Sequence, residues 1–304
     1  MNGKTIVITG AAGFIGTRLG PHIAATHPGA RLFSLDIRPP EGAAHPLSID
    51  LLQREAVCAA FKEIRPDVVF HLAGVIFSKD WEGHYRGNVE ATINVLEAVK
   101  EAGLDARVVV PGSAAEYGRV SPCDLPLTET QAPNPVSPYG VSKVWQTAVA
   151  RYYAAQGVDV IIGRIFNVMG KGAHPGLSIG AFAEQLRRIK AGELPPALSV
   201  GNLKPRRDFI DVTDACSALA GLADKGRSGE TYNICSGTSV SMREILEMMI
   251  ETAGLKVSVT VDPERVKDAD IDDIYGANAK MREETGWTPS VSLKESVEAI
   301  AGGF

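Results

Sequence analysis

Tyr139 and Lys143 stand four residues apart in Ser137-Pro138-Tyr139-Gly140-Val141-Ser142-Lys143, and Ser113 closes the run Val108-Val109-Val110-Pro111-Gly112-Ser113 upstream. A phenol with a pKa of about 10 is a poor base at neutral pH. A neighbouring ammonium favours the phenolate and brings that pKa toward the working range, so the pair can exchange a proton with a substrate oxygen. Ser137 and Pro138 are good candidates for the N-cap and first residue of a helix, and i,i+4 spacing then sets Tyr139 and Lys143 on one face of it. Ser113 would present its hydroxyl where the carboxyl edge of a parallel sheet faces a ligand. An isolated Tyr-x-x-x-Lys is common on solvated helix faces. Its meaning depends on its company.

That company begins at the N-terminus. Gly10, Gly13 and Gly16 close the segment Thr5-Ile6-Val7-Ile8-Thr9-Gly10-Ala11-Ala12-Gly13-Phe14-Ile15-Gly16, and Asp36 follows twenty residues after Gly16. An apolar β-branched strand, a glycine turn and a helix start place backbone N–H groups against a pyrophosphate, and an acid ending the next strand accepts from ribose hydroxyls. The pattern predicts a nicotinamide dinucleotide cofactor. Asp36 would repel a 2′-phosphate and favours NAD, while Arg38 could attract one and leaves NADP open.

Strand-like runs at 5–9, 31–36, 67–72, 107–112 and 159–164 alternate with helical stretches near 14–27, 51–64, 89–103 and 139–156. Such alternation predicts an α/β fold, a doubly wound parallel sheet. After Phe166 the rhythm changes to shorter helices at 180–190, 242–253, 279–285 and 293–300, mixed with isolated strands. We expect residues 1–166 to form the dinucleotide-binding domain, with part of 208–235 returning to it. Residues 167–304 would mainly form a smaller mixed α/β substrate lobe. The long loop Arg119–Pro138 joins the two chemical segments, and loops of that length are often functional.

The 304 residues are 45% apolar, enough for a real core, and the net charge of −5 argues against nucleic-acid or membrane-surface binding. Four scattered cysteines and six histidines show neither a disulfide framework nor metal-ligand spacing. No apolar run reaches membrane-spanning length, and the expected location is the cytoplasm.

Taken together, the segments Thr9–Gly16, His71-Leu72-Ala73-Gly74, Gly112–Gly118, Tyr139/Lys143, Arg164–Gly170 and Arg207–Val212 resemble the extended short-chain dehydrogenase/reductases, the NAD-dependent sugar epimerase/dehydratase family. Further runs, among them 135–143, 200–203, 232–237, 261–265 and 285–289, resemble its branch that reduces GDP-linked 4-keto-6-deoxy-mannose. The resemblance implies a Rossmann sheet and three catalytic residues. Tyr139 would be the acid/base, Lys143 its electrostatic partner and ribose ligand, and Ser113 the donor to the reacting oxygen. It implies cofactor contacts from Gly10, Gly13, Phe14, Ile15, Gly16, Asp36, Arg38, Leu72, Ala73 and Gly74, with Asp50 and Leu51 lining the adenine pocket and Asn88 supporting the site. Asn167 would meet the substrate, or else only bond a turn. Arg207 would hold a diphosphate, or else pair with Asp208. Lys267 stands where relatives place a diphosphate-binding Arg, and His71 reads as a packing residue.

Departures narrow the chemistry. Relatives that dehydrate sugars carry an acidic pair where this chain has Ala114 and Ala115, and Glu116, displaced by one residue, would point elsewhere. Methyl groups cannot move protons, so dehydration is disfavoured. Gly170-Lys171-Gly172 replaces a Gly-Pro-Gly. Lys171, Lys190, Lys204, Arg206, Arg207 and Lys267 could form a positive patch for an anionic sugar or nucleotide sugar. The expected function is NAD(P)-dependent reduction of a keto group on a nucleotide-linked 4-keto-6-deoxy sugar. A nucleotide-sugar 4-epimerase, a dehydrogenase of a free sugar acid and a non-catalytic NAD(P) sensor are the alternatives.

The helices near 89–103 and 139–156 carry apolar residues on more than one face: Val89, Ile93, Val95, Leu96 and Val99 on the first, and Val141, Val144, Trp145, Ala148, Val149 and Tyr152 on the second. One stripe suffices to cover a sheet. The resemblance implies a homodimer that pairs these helices into a four-helix bundle.

Overall fold

Thr-Ile-Val-Ile-Thr makes the first strand, β1 (Thr5–Thr9), because a central parallel strand is buried on both faces and reads as a continuous apolar run. Successive side chains serve opposite layers: Ile6 and Ile8 enter one core cluster, Val7 the other. The computed structural model describes residues 1–266 and 271–302. After β1 come α1 (Gly16–Thr26), β2 (Arg31–Asp36), β3 (Pro46–Ser48), α2 (Arg54–Ile64), β4 (Val68–His71), α3 (Trp81–His84), α4 (Ala91–Glu101), β5 (Arg107–Ser113), α5 (Pro138–Ala155), β6 (Val160–Ile165) and β7 (Asn167–Met169). Then follow α6 (Ser178–Lys190), β8 (Ala197–Val200), β9 (Arg206–Arg207), β10 (Phe209–Asp211), α7 (Val212–Lys225), β11 (Thr231–Ile234), β12 (Val240–Ser241), α8 (Met242–Ala253), β13 (Ser258–Val261), β14 (Asp273–Ile274), α9 (Ala279–Thr285) and α10 (Leu293–Ala301).

Seven strands form one sheet in the order β11-β6-β5-β4-β1-β2-β3, every pair parallel. The order reverses between β1 and β4, the switch point where open α/β sheets bind ligands beyond their carboxyl ends. The fold is the expected Rossmann α/β sheet. One layer packs α1, α7 and α9 residues such as Leu19, Leu219 and Met281 against it, and the other packs α2, α4 and α5 residues such as Phe61, Val95 and Ala150. A third cluster, with Phe182, Leu186, Leu246 and Ile300, joins α6, α8 and α10.

Two expectations shift. The helix expected to begin near Val89 continues an earlier one: α3 passes through a π-helical turn, Tyr85–Glu90, into α4. Gly83 and Gly87 make this stretch read as loop, yet packing requires them, since a Cβ on Gly87 would lie 2.4 Å from Val75 Cγ2. The surplus apolar stripe expected on α4 is also largely satisfied within the chain, for Val89, Val95, Leu96 and Val99 are buried. On α5, Trp145 and Tyr152 remain 45% and 60% exposed, with Tyr85 meeting Trp145 edge-on at 6.2 Å.

Candidate active site

The glycine turn is held by geometry that excludes side chains. Gly10 has φ +67°, and a Cβ there would stand 2.5 Å from the Ala73 nitrogen. On Gly16 a Cβ would stand 2.3 Å from the Gly10 carbonyl oxygen, so α1 and the turn touch backbone to backbone. Gly13 differs: a Cβ there would meet only the Gly10 oxygen, at 3.1 Å, so its other side is open. Asp36, at the end of β2, accepts the Ala12 N–H at 3.0 Å and the Arg38 N–H at 3.1 Å. Arg38 is exposed beside it, and Phe14 and Ile15 line the start of α1 half-buried. A turn that rejects side chains, open above Gly13 and flanked by a carboxylate, fits a dinucleotide.

At the neighbouring edge, the Leu72 N–H donates to the Thr9 carbonyl at 3.1 Å, and Ala73 and Gly74 follow. The Asn88 amide donates to the Val75 carbonyl and the Ser142 hydroxyl, both at 2.9 Å, and accepts the Val75 N–H at 2.8 Å. Gly74 leaves room for it, since a Cβ there would lie 2.8 Å from Asn88 Oδ1. The wide π-helical turn carries Asn88 into this position, as such turns often do at functional sites. His71 is the packing residue expected. It bridges the Thr9 and Thr92 hydroxyls at 2.9 Å each, and burial pushes its pKa down to about 3. Asp50 caps the Leu52 N–H at 3.0 Å, and the Leu51 carbonyl accepts from Asn94.

Ser113 ends β5 and caps the 3-10 turn Ala114–Glu116 by accepting the Ala115 N–H at 3.2 Å. Ser137 caps α5 through the Gly140 N–H at 3.0 Å with Pro138 in the first position, as its sequence implies. Tyr139 and Lys143 then lie on the face turned to β5: Tyr139 stands beside the Ser113 side chain, and Lys143 Nζ donates to the Pro111 carbonyl at 2.6 Å and to Gln146. The three residues are brought together. Burial lowers the Lys143 pKa to about 8, opposed by the charge of Glu116. The Tyr139 phenol departs from expectation. Burial raises its pKa, outweighing the opposing influence of the nearby Ser113 side chain, and Lys143 does not offset it; the ammonium is aimed at Pro111 and Gln146 instead.

Glu116 points elsewhere, as its displacement by one residue implies. Its carboxylate turns into the core and accepts from the Ser113 N–H, the Thr147 hydroxyl and Arg164. The readable signal was Ser113-x-x-Glu116, the capping-box spacing. Arg18 is a second residue the sequence did not single out. It lies over the Phe14 ring at 4.4 Å and donates to the Lys171 carbonyl, tying the glycine turn to the loop after β7.

The candidate substrate residues are spread more widely. Asn167 Nδ2 donates to the Asp208 carbonyl at 2.9 Å, joining β7 to β10. Arg207 Nη1 donates to the Ile271 and Arg206 carbonyls. Asp208 accepts from Ser236, Gly237 and Gly276, and burial raises its pKa to about 6. Arg206 is engaged by Glu244 and Ser239, which removes it from a free cationic patch. Lys204 and Arg243 line a recess of about 290 Å³ with Val261 and Val266. Lys267 lies outside the described residues.

A Rossmann sheet, a dinucleotide turn and a Ser–Tyr–Lys set define a nucleotide-dependent oxidoreductase class. The sequence pattern of the NAD dependent epimerase/dehydratase family matches residues 6–235, and the chain belongs to that family. It is 31% identical to GDP-6-deoxy-D-mannose reductase of Pseudomonas aeruginosa over 302 residues, 98% of this chain and 96% of that one. It is 30% identical to dTDP-6-deoxy-L-talose 4-dehydrogenase (NAD(P)(+)) of Kitasatospora kifunensis, covering 97% and 94% of the two chains. Among solved structures, RMD from Pseudomonas aeruginosa complexed with NADPH superposes with a TM-score of 0.88 at 30% identity, covering 98% of each chain. The protein is an NAD(P)-dependent enzyme. Among the described residues no helix is long and apolar enough to cross a membrane.

Proposed function

We propose that the enzyme reduces the keto group of a 4-keto-6-deoxy sugar linked to a nucleoside diphosphate. The convergence of Ser113, Tyr139 and Lys143 beside Ala114 and Ala115 carries this reading: one carbonyl oxygen can be protonated, and no acid pair stands by to dehydrate a neighbouring carbon. Its similarity to GDP-6-deoxy-D-mannose reductase supports it. When bound, a dihydronicotinamide would supply the hydride for the carbonyl carbon. Tyr139 donates its proton to the oxygen, and Ser113 stabilises the charge that develops there. Lys143, which in the structure donates to the Pro111 carbonyl and to Gln146, is assigned here as the electrostatic partner that turns toward the phenolate left behind.

In this reading residues 1–166, with β11 completing their sheet, bind the cofactor through Gly10, Gly13, Phe14, Ile15, Gly16, Asp36, Arg38, Asp50, Leu51, Leu72, Ala73, Gly74 and Asn88, together with Tyr139 and Lys143. Residues 167–304 mainly bind the substrate, with Asn167 near the sugar and Arg207 and Lys267 on the diphosphate. The protein acts as a cytoplasmic homodimer through a four-helix bundle in which α5 supplies the exposed Trp145 and Tyr152. All four cysteines are free, in keeping with a reducing compartment.

Incubation with a GDP-linked 4-keto-6-deoxy hexose and NADH or NADPH tests the reading. One cofactor oxidised per sugar reduced supports it. Interconversion of 4-epimeric nucleotide sugars without net cofactor consumption identifies a 4-epimerase instead, which uses the same three residues.

A further inference from the structure

Glu116 is completely buried, a fixed charge one position beyond the two alanines. Its Oε1 accepts the Ser113 N–H at 2.8 Å, and its Oε2 accepts the Thr147 hydroxyl at 2.9 Å and Arg164 Nη2 at 2.8 Å. Arg164 is 1% exposed, lies 4.6 Å over the Tyr117 ring, and leaves Nε and Nη1 without hydrogen-bond partners among the described residues. A buried ion pair commonly stabilises less than apolar side chains of the same volume, and unpaired donors add to its cost. Stability alone therefore does not account for it. Its location does. Residues 139, 143 and 147 are spaced by four along α5 and share one face, so one carboxylate ties the strand end carrying Ser113 to the helix face carrying Tyr139 and Lys143.

We propose that Glu116 is a positioning residue for the reduction: its one buried carboxylate fixes the Ser113 main chain against the catalytic face of α5 and sets a negative charge beside that face. This rests on the reading of Tyr139 as proton donor. The charged and titratable groups around the pair come from every packed element: Arg164 on β6, Glu116 and Tyr117 after β5, Lys143 on α5, His71 on β4 and the His84 ring on α3, 6.3 Å from the Tyr139 ring. The Glu116 charge raises the pKa of both Tyr139 and Lys143, so it holds the proton on the phenol and counters the deprotonating effect of burial on the amine.

Glu116→Gln tests this, because it preserves size and an acceptor for the Ser113 N–H while removing the charge. The readout needs no cofactor: ultraviolet titration of tyrosinate, each chain differenced against the same chain carrying Tyr139→Phe, isolates the Tyr139 transition. We expect it about one pH unit lower in Glu116→Gln, with the alkaline limb of kcat/KM moving the same way. Glu116→Asp keeps the charge but withdraws from Ser113, so the transition stays in place while kcat falls roughly tenfold or more. An unmoved transition in folded Glu116→Gln, or an equal shift in Glu116→Asp, overturns the proposal. If circular dichroism shows that Glu116→Gln fails to fold around the orphaned guanidinium, Glu116→Gln combined with Arg164→Met removes both charges. Arg164 points at Glu116 and Tyr117, not at Tyr139, so the transition still falls; an unmoved one again overturns the proposal. A fully active Tyr139→Phe enzyme would instead overturn the reading beneath it.

Discussion

Asp36→Asn probes the point where the fold and the choice of nucleotide meet. The carboxylate accepts two backbone N–H groups, at 3.0 Å from Ala12 and 3.1 Å from Arg38. A carboxamide has one oxygen, so one of those groups faces an NH2 donor. Hydrogen bonds to charged groups are worth about 1.5–3 kcal/mol, but Asp36 is half-buried and water replaces part of the loss, leaving about 1 kcal/mol. In a chain of 304 residues that lowers the thermal midpoint by roughly 1–2 °C. The effect on cofactor choice is larger. A 2′-phosphate carries about 1.5–2 negative charges, and each unit pair at roughly 5 Å is worth about 3 kcal/mol at an effective dielectric of about 20. Exposure and salt reduce the repulsion to about 1–2 kcal/mol. NADPH should therefore bind roughly 5–30 times more tightly to Asp36→Asn than to the parent, while NADH weakens slightly. Titration of cofactor fluorescence in both chains measures this. An unchanged NADPH dissociation constant in a folded variant, or a parent that already prefers NADPH, would mean that Arg38 outweighs Asp36.

Tyr139→Phe removes the exchangeable proton and keeps the ring, so cofactor should still bind while turnover falls by about two to four orders of magnitude; near-normal turnover would remove Tyr139 from the mechanism. His71 is neutral in the fold until about pH 3, whereas the unfolded chain takes up its proton below about pH 6.5. The unfolded state thus binds more protons as pH falls through that window, and stability should drop by up to about 1.4 kcal/mol per pH unit from this group. Denaturant melts between about pH 6.5 and 5 should show that slope, and an equal slope in His71→Asn would assign it elsewhere. Light scattering at micromolar concentration should return roughly twice the 32.3 kDa chain mass, and Trp145→Arg should return one chain. A monomer mass for the parent would mean that the α5 stripe meets no second copy.

The sequence was most legible where one local rule acts without competition. β1 and β2 match their expected limits because each is a mainly apolar run closed by polar or glycine residues, and α5 begins where Ser137-Pro138 dictates. The three candidate side chains, Ser113, Tyr139 and Lys143, are brought together because a strand end and a capped helix start are both visible in one dimension. What stayed hidden depends on contacts between distant segments. Gly87 reads as a loop residue until Val75 stands against it. Glu116 reads as displaced until Thr147 and Arg164 close on its carboxylate, some 31 and 48 residues further along. The two-to-four-residue strands β8, β9, β12, β13 and β14 are too short for a pattern of their own, and pair only because the lobe around them brings them together.

The return of β11 to the edge of the large sheet has a consequence for how the chain matures. Thr231–Ile234 pair with Ile162–Ile165, and α7, just before them, lays Cys216, Leu219 and Leu222 under the same sheet. A nascent chain that has released only its first 166 residues holds β6 as an unprotected edge with an uncovered apolar face, the kind of surface that recruits other strands. Final closure waits on residues made some seventy positions later. Calorimetry of the whole protein should accordingly record one cooperative transition rather than two, and a fragment cut after β6 should aggregate where the intact chain stays monodisperse.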